Sequence, residues 1–233
     1  MMNDPMHDST TDHPYRAAPA PRTFDPERAR VPYDGQTRMG LRISSGLAHA
    51  RIVIDPAARD LLAIEAGDGL RPRIRIVAGE IVLTWRVSFG DWLRGVFTAG
   101  LDDLTIVLHP AVEWTVAIRG GLSNLECDLS AGAVAGIDIA GGCSHVLFDL
   151  PQPTAIVPVR ISGGASCVGL RRPAEAGVAF VGAGGVSMLR LDDRGFDAIG
   201  GAARLDTGNV GGGTPHYELS ISGGASDLAI VSR

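Results

Sequence analysis

The hexapeptide ISGGAS stands at Ile161–Ser166 and again, unchanged, at Ile221–Ser226. Close variants lie at Ile118–Ser123 (IRGGLS) and Ile139–Ser144 (IAGGCS). Their common core is a glycine pair, found at Gly120–Gly121, Gly141–Gly142, Gly163–Gly164, Gly184–Gly185 and Gly223–Gly224. The first four pairs are spaced 21, 22 and 21 residues apart, and the fifth follows after 39. Two positions after each second glycine comes a serine: Ser123, Ser144, Ser166, Ser187 and Ser226. Five positions before it the residue is apolar: Val116, Ile137, Val159, Phe180 and Leu219. Four and six positions after it stand Leu125 and Cys127, Val146 and Phe148, Val168 and Leu170, Leu189 and Leu191, Leu228 and Ile230.

A period near 21 residues marks a supersecondary unit that buries its apolar face only by stacking on its neighbours. Apolar positions alternate with polar ones, as half-buried strands require. The glycine pair then forms a corner between two short strands, where a positive φ or a close neighbour excludes a Cβ. This predicts an all-β, single-domain β-solenoid, parallel β-helix-like, with rungs of ~21 residues. The other reading makes each glycine pair the turn of an antiparallel hairpin. It puts the same residues in the core. The solenoid is preferred because four consecutive units agree in register and length.

Clear repeats cover residues 114–233, and degenerate ones cover 39–113. RIRIV (Arg73–Val77) and IVLTWRV (Ile81–Val87) have the period and β-branching of strands. DPAARDLLAIEAG (Asp55–Gly67) predicts a short helix with Asp55 as N-cap and Pro56 at the first helical position. WLRGVF (Trp92–Phe97) predicts one more helical turn. Residues 1–38 are rich in Pro, Asp, His, Thr and Arg without apolar periodicity, the pattern of a disordered or loosely docked tail. His7 and His13 in that tail read as solvated rather than metal-binding.

The ISGGAS-type repeats resemble a bacterial adhesin-like β-solenoid family, similar to the C-terminal domains of cell-envelope stress regulators. The resemblance covers Trp114–Arg233 and, more faintly, Leu41–Val112. It implies a β-solenoid fold and carries no catalytic residues, because the motif is architectural.

Composition agrees with a β architecture. Of 233 residues, 31 are glycine, and each interior glycine costs a helix about 1 kcal/mol relative to alanine. A net charge of −5 makes phosphate neutralisation, and so nucleic-acid binding, a poor fit. All 21 basic residues are arginine. Cys127, Cys143 and Cys167 are odd in number and lack Cys-x-x-Cys spacing, which argues against a disulfide framework or a zinc site. No metal and no cofactor are expected. The N-terminus has no basic segment followed by an apolar one, and no stretch approaches 18 apolar residues. The expectation is a cytoplasmic protein without a membrane span.

Chemistry-bearing residues fall into columns. Seven positions after the second glycine the column reads Asp128, Asp149, Arg171, Asp192 and, last, Val231, all pointing outward by alternation. As a surface ladder, each exposed pair contributes about 0.2–1 kcal/mol. As an acidic strip it could bind a cationic partner or act on a glycan through paired carboxylates. The serine column lacks an oriented base, since His145 faces away from Ser144, so its hydroxyls read as partners for backbone groups at the corner. Between Leu191 and Tyr217 the chain runs DDRGFDAIGGAARLDTGNVGGGTPH, a lateral loop where binding residues would lie. Trp85, Trp92 and Trp114 read as core or cap residues.

These features predict a non-enzymatic scaffold or interaction module that binds a protein partner or self-associates. Its contact face would comprise Asp149, Arg171 and Asp192 on neighbouring rungs, with Asp193, Arg194 and Asp197 leaving beside Asp192. Ile230 and Val231, near the end of the sequence, would leave the last rung uncovered as a template for another copy. The alternative is a β-helix enzyme acting on a carbohydrate or small molecule through surface carboxylates. No catalytic residue stands out.

Overall fold

A computed structural model describes residues 28–66, 72–85 and 104–233, and every regular element among them is a β-strand. In chain order the first six are β1 (Arg28–Pro32), β2 (Arg38–Ile43), β3 (Leu47–Ile54), β4 (Asp60–Ala66), β5 (Arg73–Val77) and β6 (Glu80–Thr84). Next come β7 (Leu104–Leu108), β8 (Glu113–Arg119), β9 (Leu122–Asp128), β10 (Ala133–Ala140), β11 (Cys143–Asp149), β12 (Ile156–Ser162) and β13 (Ala165–Arg172). The last are β14 (Gly177–Gly182), β15 (Val186–Leu191), β16 (Arg194–Ile199), β17 (Ala203–Asp206), β18 (His216–Ile221) and β19 (Ala225–Ser232). The helical turn expected at 92–97, the histidines at 7 and 13, and Trp92 lie outside the described residues.

The strands form two mixed sheets. The first has ten strands in the order β1-β4-β7-β3-β9-β11-β13-β19-β15-β16, and the second nine, β17-β14-β18-β12-β10-β8-β2-β6-β5. The two strands flanking each glycine pair belong to different sheets, so each pair turns an arch rather than a hairpin. Neighbouring arches pair in parallel: Ser144 stands opposite Ser123 on one side and Ser166 on the other. The core lies between the sheets. Leu125, Cys127, Val146, Phe148, Val168 and Leu170 enter it from the first sheet, and Val116, Ile137, Val159, Phe180 and Leu219 from the second, all buried.

The alternation changes phase once in six strands of the first sheet, β3, β9, β11, β13, β15 and β19. In β11, Cys143, Val146 and Phe148 are buried, which a strict period of two would forbid. His145 between them adopts φ 53°, and Asn124, Cys167, Met188, Asp227 and His49 do the same at φ 51–54° in their own strands. One left-handed residue per strand restores the inward direction for the next residue. Asn, Asp and His tolerate that conformation better than most side chains, and they fill four of the six places.

Chain order and spatial order differ. Arch β18–β19 lies between β12–β13 and β14–β15, so β19 pairs with β13 on one side and β15 on the other. Ile230 is therefore fully buried and Val231 pairs with Arg171, in contrast to the uncovered last rung expected from sequence. The 192–215 segment makes this return possible, and it is not a loop. Its β16 and β17 pair antiparallel with β15 and β14 and form the edges of the two sheets. At the opposite end β5 and β1 occupy the edge positions, β1 pairing antiparallel with β4. Residues 28–33, which composition placed in the tail, thus join the fold, and the Tyr33 ring stacks on His109 with centroids 3.8 Å apart.

The helix expected over 55–67 is instead a turn followed by β4. Asp55 does accept the Ala57 N–H at 2.8 Å, but as a turn rather than a helix cap. Leu62 and Ile64 then alternate inward against β7, and that burial outweighs the local helix preference.

The corners of the arches are backbone-to-backbone stacks. A Cβ on Gly141 would lie 2.5 Å from the Gly120 carbonyl oxygen, and one on Gly184 would lie 2.5 Å from that of Gly223. Added methyls on Gly163 and Gly223 would strike the carbonyls of Gly141 and Gly163. The second glycine of a pair is different, since a Cβ on Gly142 would meet the Gly164 oxygen at an ordinary 3.8 Å. Gly163→Ala is therefore expected to lower stability by about 2–3 kcal/mol through overpacking. Gly142→Ala should stay within about 0.5 kcal/mol. Urea unfolding of the two variants side by side checks the contrast.

Candidate functional site

The charged column runs along one rim of the first sheet, at the C-terminal ends of its parallel strands. Asp128, Asp149 and Arg171 are adjacent in register on β9, β11 and β13. Arg171 Nε lies 3.8 Å from Asp149 Oδ2. A residue outside the expected set completes the group: Arg233 Nη1 lies 2.8 Å from Asp149 Oδ1, an ion pair whose N–H is not aimed along the contact. Arg233 also donates to the Leu150 carbonyl at 3.3 Å. Asp128 is held differently, its Oδ1 accepting the Ser130 N–H at 3.2 Å and the Ser130 hydroxyl at 2.7 Å. Glu126, Cys127, Asp128, Leu147, Asp149 and Arg171 line a dent of about 20 Å³, room for one water.

Asp192 does not join Arg171, contrary to the neighbouring-rung expectation, because β19 intervenes and Arg171 faces Val231. The Asp192 carboxylate instead takes Arg172 Nη2 at 2.5 Å on Oδ2 and the Ser232 N–H at 2.9 Å on Oδ1. Arg172 is 1% exposed and also donates to the Pro173 carbonyl at 3.2 Å. Its column, eight positions after the second glycine, holds the buried Leu129 and Leu150 in the two preceding arches. A charged residue in a column of core leucines was the signal in the sequence, and reading the columns only as far as the seventh position misses it. Tyr217 adds one more buried polar link, its hydroxyl donating to the Pro151 carbonyl at 2.7 Å.

Asp193, Arg194 and Asp197 are exposed on the β15–β16 hairpin. Arg194 donates to the Asp206 carbonyl and so ties β16 to β17. His216 is buried, with Nδ1 2.7 Å from the Thr214 carbonyl oxygen. Trp85 and Trp114 are buried, their indole N–H groups donating to Gly46 and His109 carbonyls at 3.2 and 3.0 Å.

The thiols are held protonated. Burial pushes Cys143 up to about 11 and Cys127 higher still. A hydrogen bond to the Asp227 carboxylate raises Cys167. Among the described residues no three His, Cys, Asp or Glu side chains converge as a metal-ligand set, and no helix is long and apolar enough to cross a membrane.

No family model and no curated protein matches the chain. Among solved structures, it is similar to a Clostridium sporogenes protein described as a candidate cell adhesion protein. The TM-score is 0.62 at 16% identity, covering 89% of this chain and 98% of that one. The two share a fold.

Removing the Asp192 charge strands a buried guanidinium. Asp192→Asn, which keeps a residue tolerant of the φ of 53° here, is expected to cost about 2–3 kcal/mol. Combining it with Arg172→Leu should recover most of that loss, because the leucine fits the column and nothing charged stays buried. Urea midpoints of the single and double variants decide it.

Alkali should act through the thiols. The Cys143 thiol is raised in the folded state from an ordinary 9.0 to about 11, so its neutral form is the one the fold favours. Its contribution is fully present below pH 9 and is lost as pH rises toward 11. The urea midpoint should fall across that window, and fall less steeply in Cys143→Val.

Proposed function

We propose that the chain is a β-solenoid interaction module, non-enzymatic, which binds a protein partner or a second copy of itself. The carrying observation is the unbroken parallel series β7-β3-β9-β11-β13-β19-β15 in the first sheet. It sets equivalent side chains in straight columns about 4.8 Å apart over one long face. Such a surface suits contact with another macromolecule. A small substrate calls for an enclosing pocket of several hundred Å³, and the rim acids border a dent of about 20 Å³. The fold shared with a protein described as a candidate adhesion protein supports the same reading.

The contact face is the charged rim: Asp149 and Arg171 at the ends of β11 and β13, then Asp193, Arg194 and Asp197 at and beyond the end of β15. Asp192 lies in this rim as the support that holds Arg172 and β19 in place. Exposed pairs on a flat rim are screened within about 8–10 Å at physiological salt, so the interaction should weaken as salt rises.

Light scattering across a hundredfold concentration range reads self-association, and capture on the immobilised protein reads a partner. The variant Arg171→Ala, Asp193→Ala, Arg194→Ala and Asp197→Ala is expected to lose at least tenfold in either measurement. Its melting temperature should stay close to wild type, since outward positions normally contribute within about 0.5 kcal/mol each. A wild-type protein that is monomeric throughout and captures nothing the variant fails to capture would sink the proposal.

A further inference from the structure

We infer that the last arch, β18–β19, is an exchangeable element, and that the slot it fills accepts residues 216–232 of a second copy of this chain. The inference goes beyond the rim contacts of the proposed function, since exchange joins copies through strand pairing rather than through the charged rim.

The slot is defined on both sides and in both sheets. β18 sits between β12 and β14, and β19 between β13 and β15, all four contacts parallel. Ser226 faces Ser166 on one side and Ser187 on the other, the same register that joins Ser144 to Ser166. The glycine corners continue through it, Gly163 packing on Gly223 and Gly223 on Gly184. The slot is therefore built for one more copy of the repeat and reads nothing beyond it, except at the rim.

The arch is bound to the preceding described strand through one tether, the nine residues 207–215 (TGNVGGGTP). Gly208, Gly212 and Gly213 there have positive φ, and an added Cβ on these or on Gly211 would meet open space. Thr207 fastens the start of the tether to Val178 through two hydrogen bonds, at 3.1 and 2.9 Å. Beyond it the segment is mostly exposed. Fully extended, nine residues span about 30 Å, enough to deliver the arch to an adjacent molecule.

Release of the arch breaks four strand contacts, but β13 and β15 share a register and can close on each other, as can β12 and β14. That closure lowers the cost of the open state below that of general unfolding. When two open copies trade arches, all four contacts re-form in each, and only the tether and the association entropy differ. Concentration then decides between the closed monomer and the exchanged dimer.

Cys167 on β13 makes this testable in the full chain, because the register that joins Ser166 to Ser226 and Val168 to Leu228 sets it opposite Asp227 on β19, across the contact in question. Adjacent strands place their Cα atoms about 5 Å apart, within disulfide range. Asp227→Cys, refolded under oxidising conditions from a mixture of isotopically labelled and unlabelled chains, should form a Cys167-to-227 link. Peptide mapping is expected to show that link between chains of different label, in a fraction that rises across a hundredfold concentration range. A link found only within chains at every concentration would overturn exchange. If wild type still associates in light scattering, the interaction reading would survive that result. Should the cysteine variant fail to fold, deletion of Gly211–Gly213 decides: a tether too short for the return should convert monomer to dimer, and a persistent monomer would overturn the proposal.

Discussion

The close stacking of backbone at the glycine corners is the constraint on which the rest of the structure depends. Carbonyl oxygens of one corner lie where a Cβ of the next would sit, along Gly120, Gly141, Gly163, Gly223 and Gly184 in spatial order. That contact lets successive arches approach to strand-pairing distance at the turn as well as along the strands. It also fixes register, because a one-residue slip would bring a side chain into the stack and turn every core residue outward. The regular columns of Val, Leu, Ile and Phe between the sheets follow from this alignment, and so does the straight outer face.

Much of this was legible in the sequence because it is periodic. The glycine pairs, the apolar positions around them and the parallel stacking of neighbours follow from spacing alone, and Phe148, Leu170 and Ile230 are buried as the columns require. The left-handed residue in six of the first-sheet strands was visible only in part. Apolar positions at +4 and +6 gave the alternation after it, but the buried +1 position is small in three of the five arches (Cys143, Ala165, Ala225), and only Leu122 and Val186 carried a strong hydrophobic signal there. Residues 55–67 misled because Asp55 and Pro56 are good helix starters, and the partner that makes Leu62 and Ile64 a strand, β7, is distant in sequence.

The order of the arches was not legible for a physical reason. Units that share one register can neighbour one another in any sequence, so periodicity that reveals the stack conceals its permutation. Placing β18–β19 one position inward costs the chain a long return, and the 192–215 segment supplies it while also furnishing β16 and β17 as sheet edges. The same segment looked like a binding loop because it is polar and glycine-rich. Edge strands carry that composition too, since one side of each faces solvent.

What singles out one arrangement must then come from contacts that the repeat does not share, and these gather at the rim. Arg233, following β19, reaches past β13 to Asp149 on β11, a pair two strands apart. Asp192, following β15, reaches across β19 to Arg172 and takes the Ser232 N–H on the way. The Arg233–Asp149 pair and the Ser232 bond presuppose β19 next to β13. If β13 and β15 paired directly, Arg172 and Asp192 would still meet, but the Ser232 bond and the Arg233–Asp149 pair would be lost. A buried arginine in place of a core leucine adds little stability by itself, given the desolvation of its charge. Its value is that only one order of arches satisfies it together with its neighbours. The glycine corners make the stack possible, and at the rim the Arg233–Asp149 pair and the Ser232 bond favour β19 beside β13.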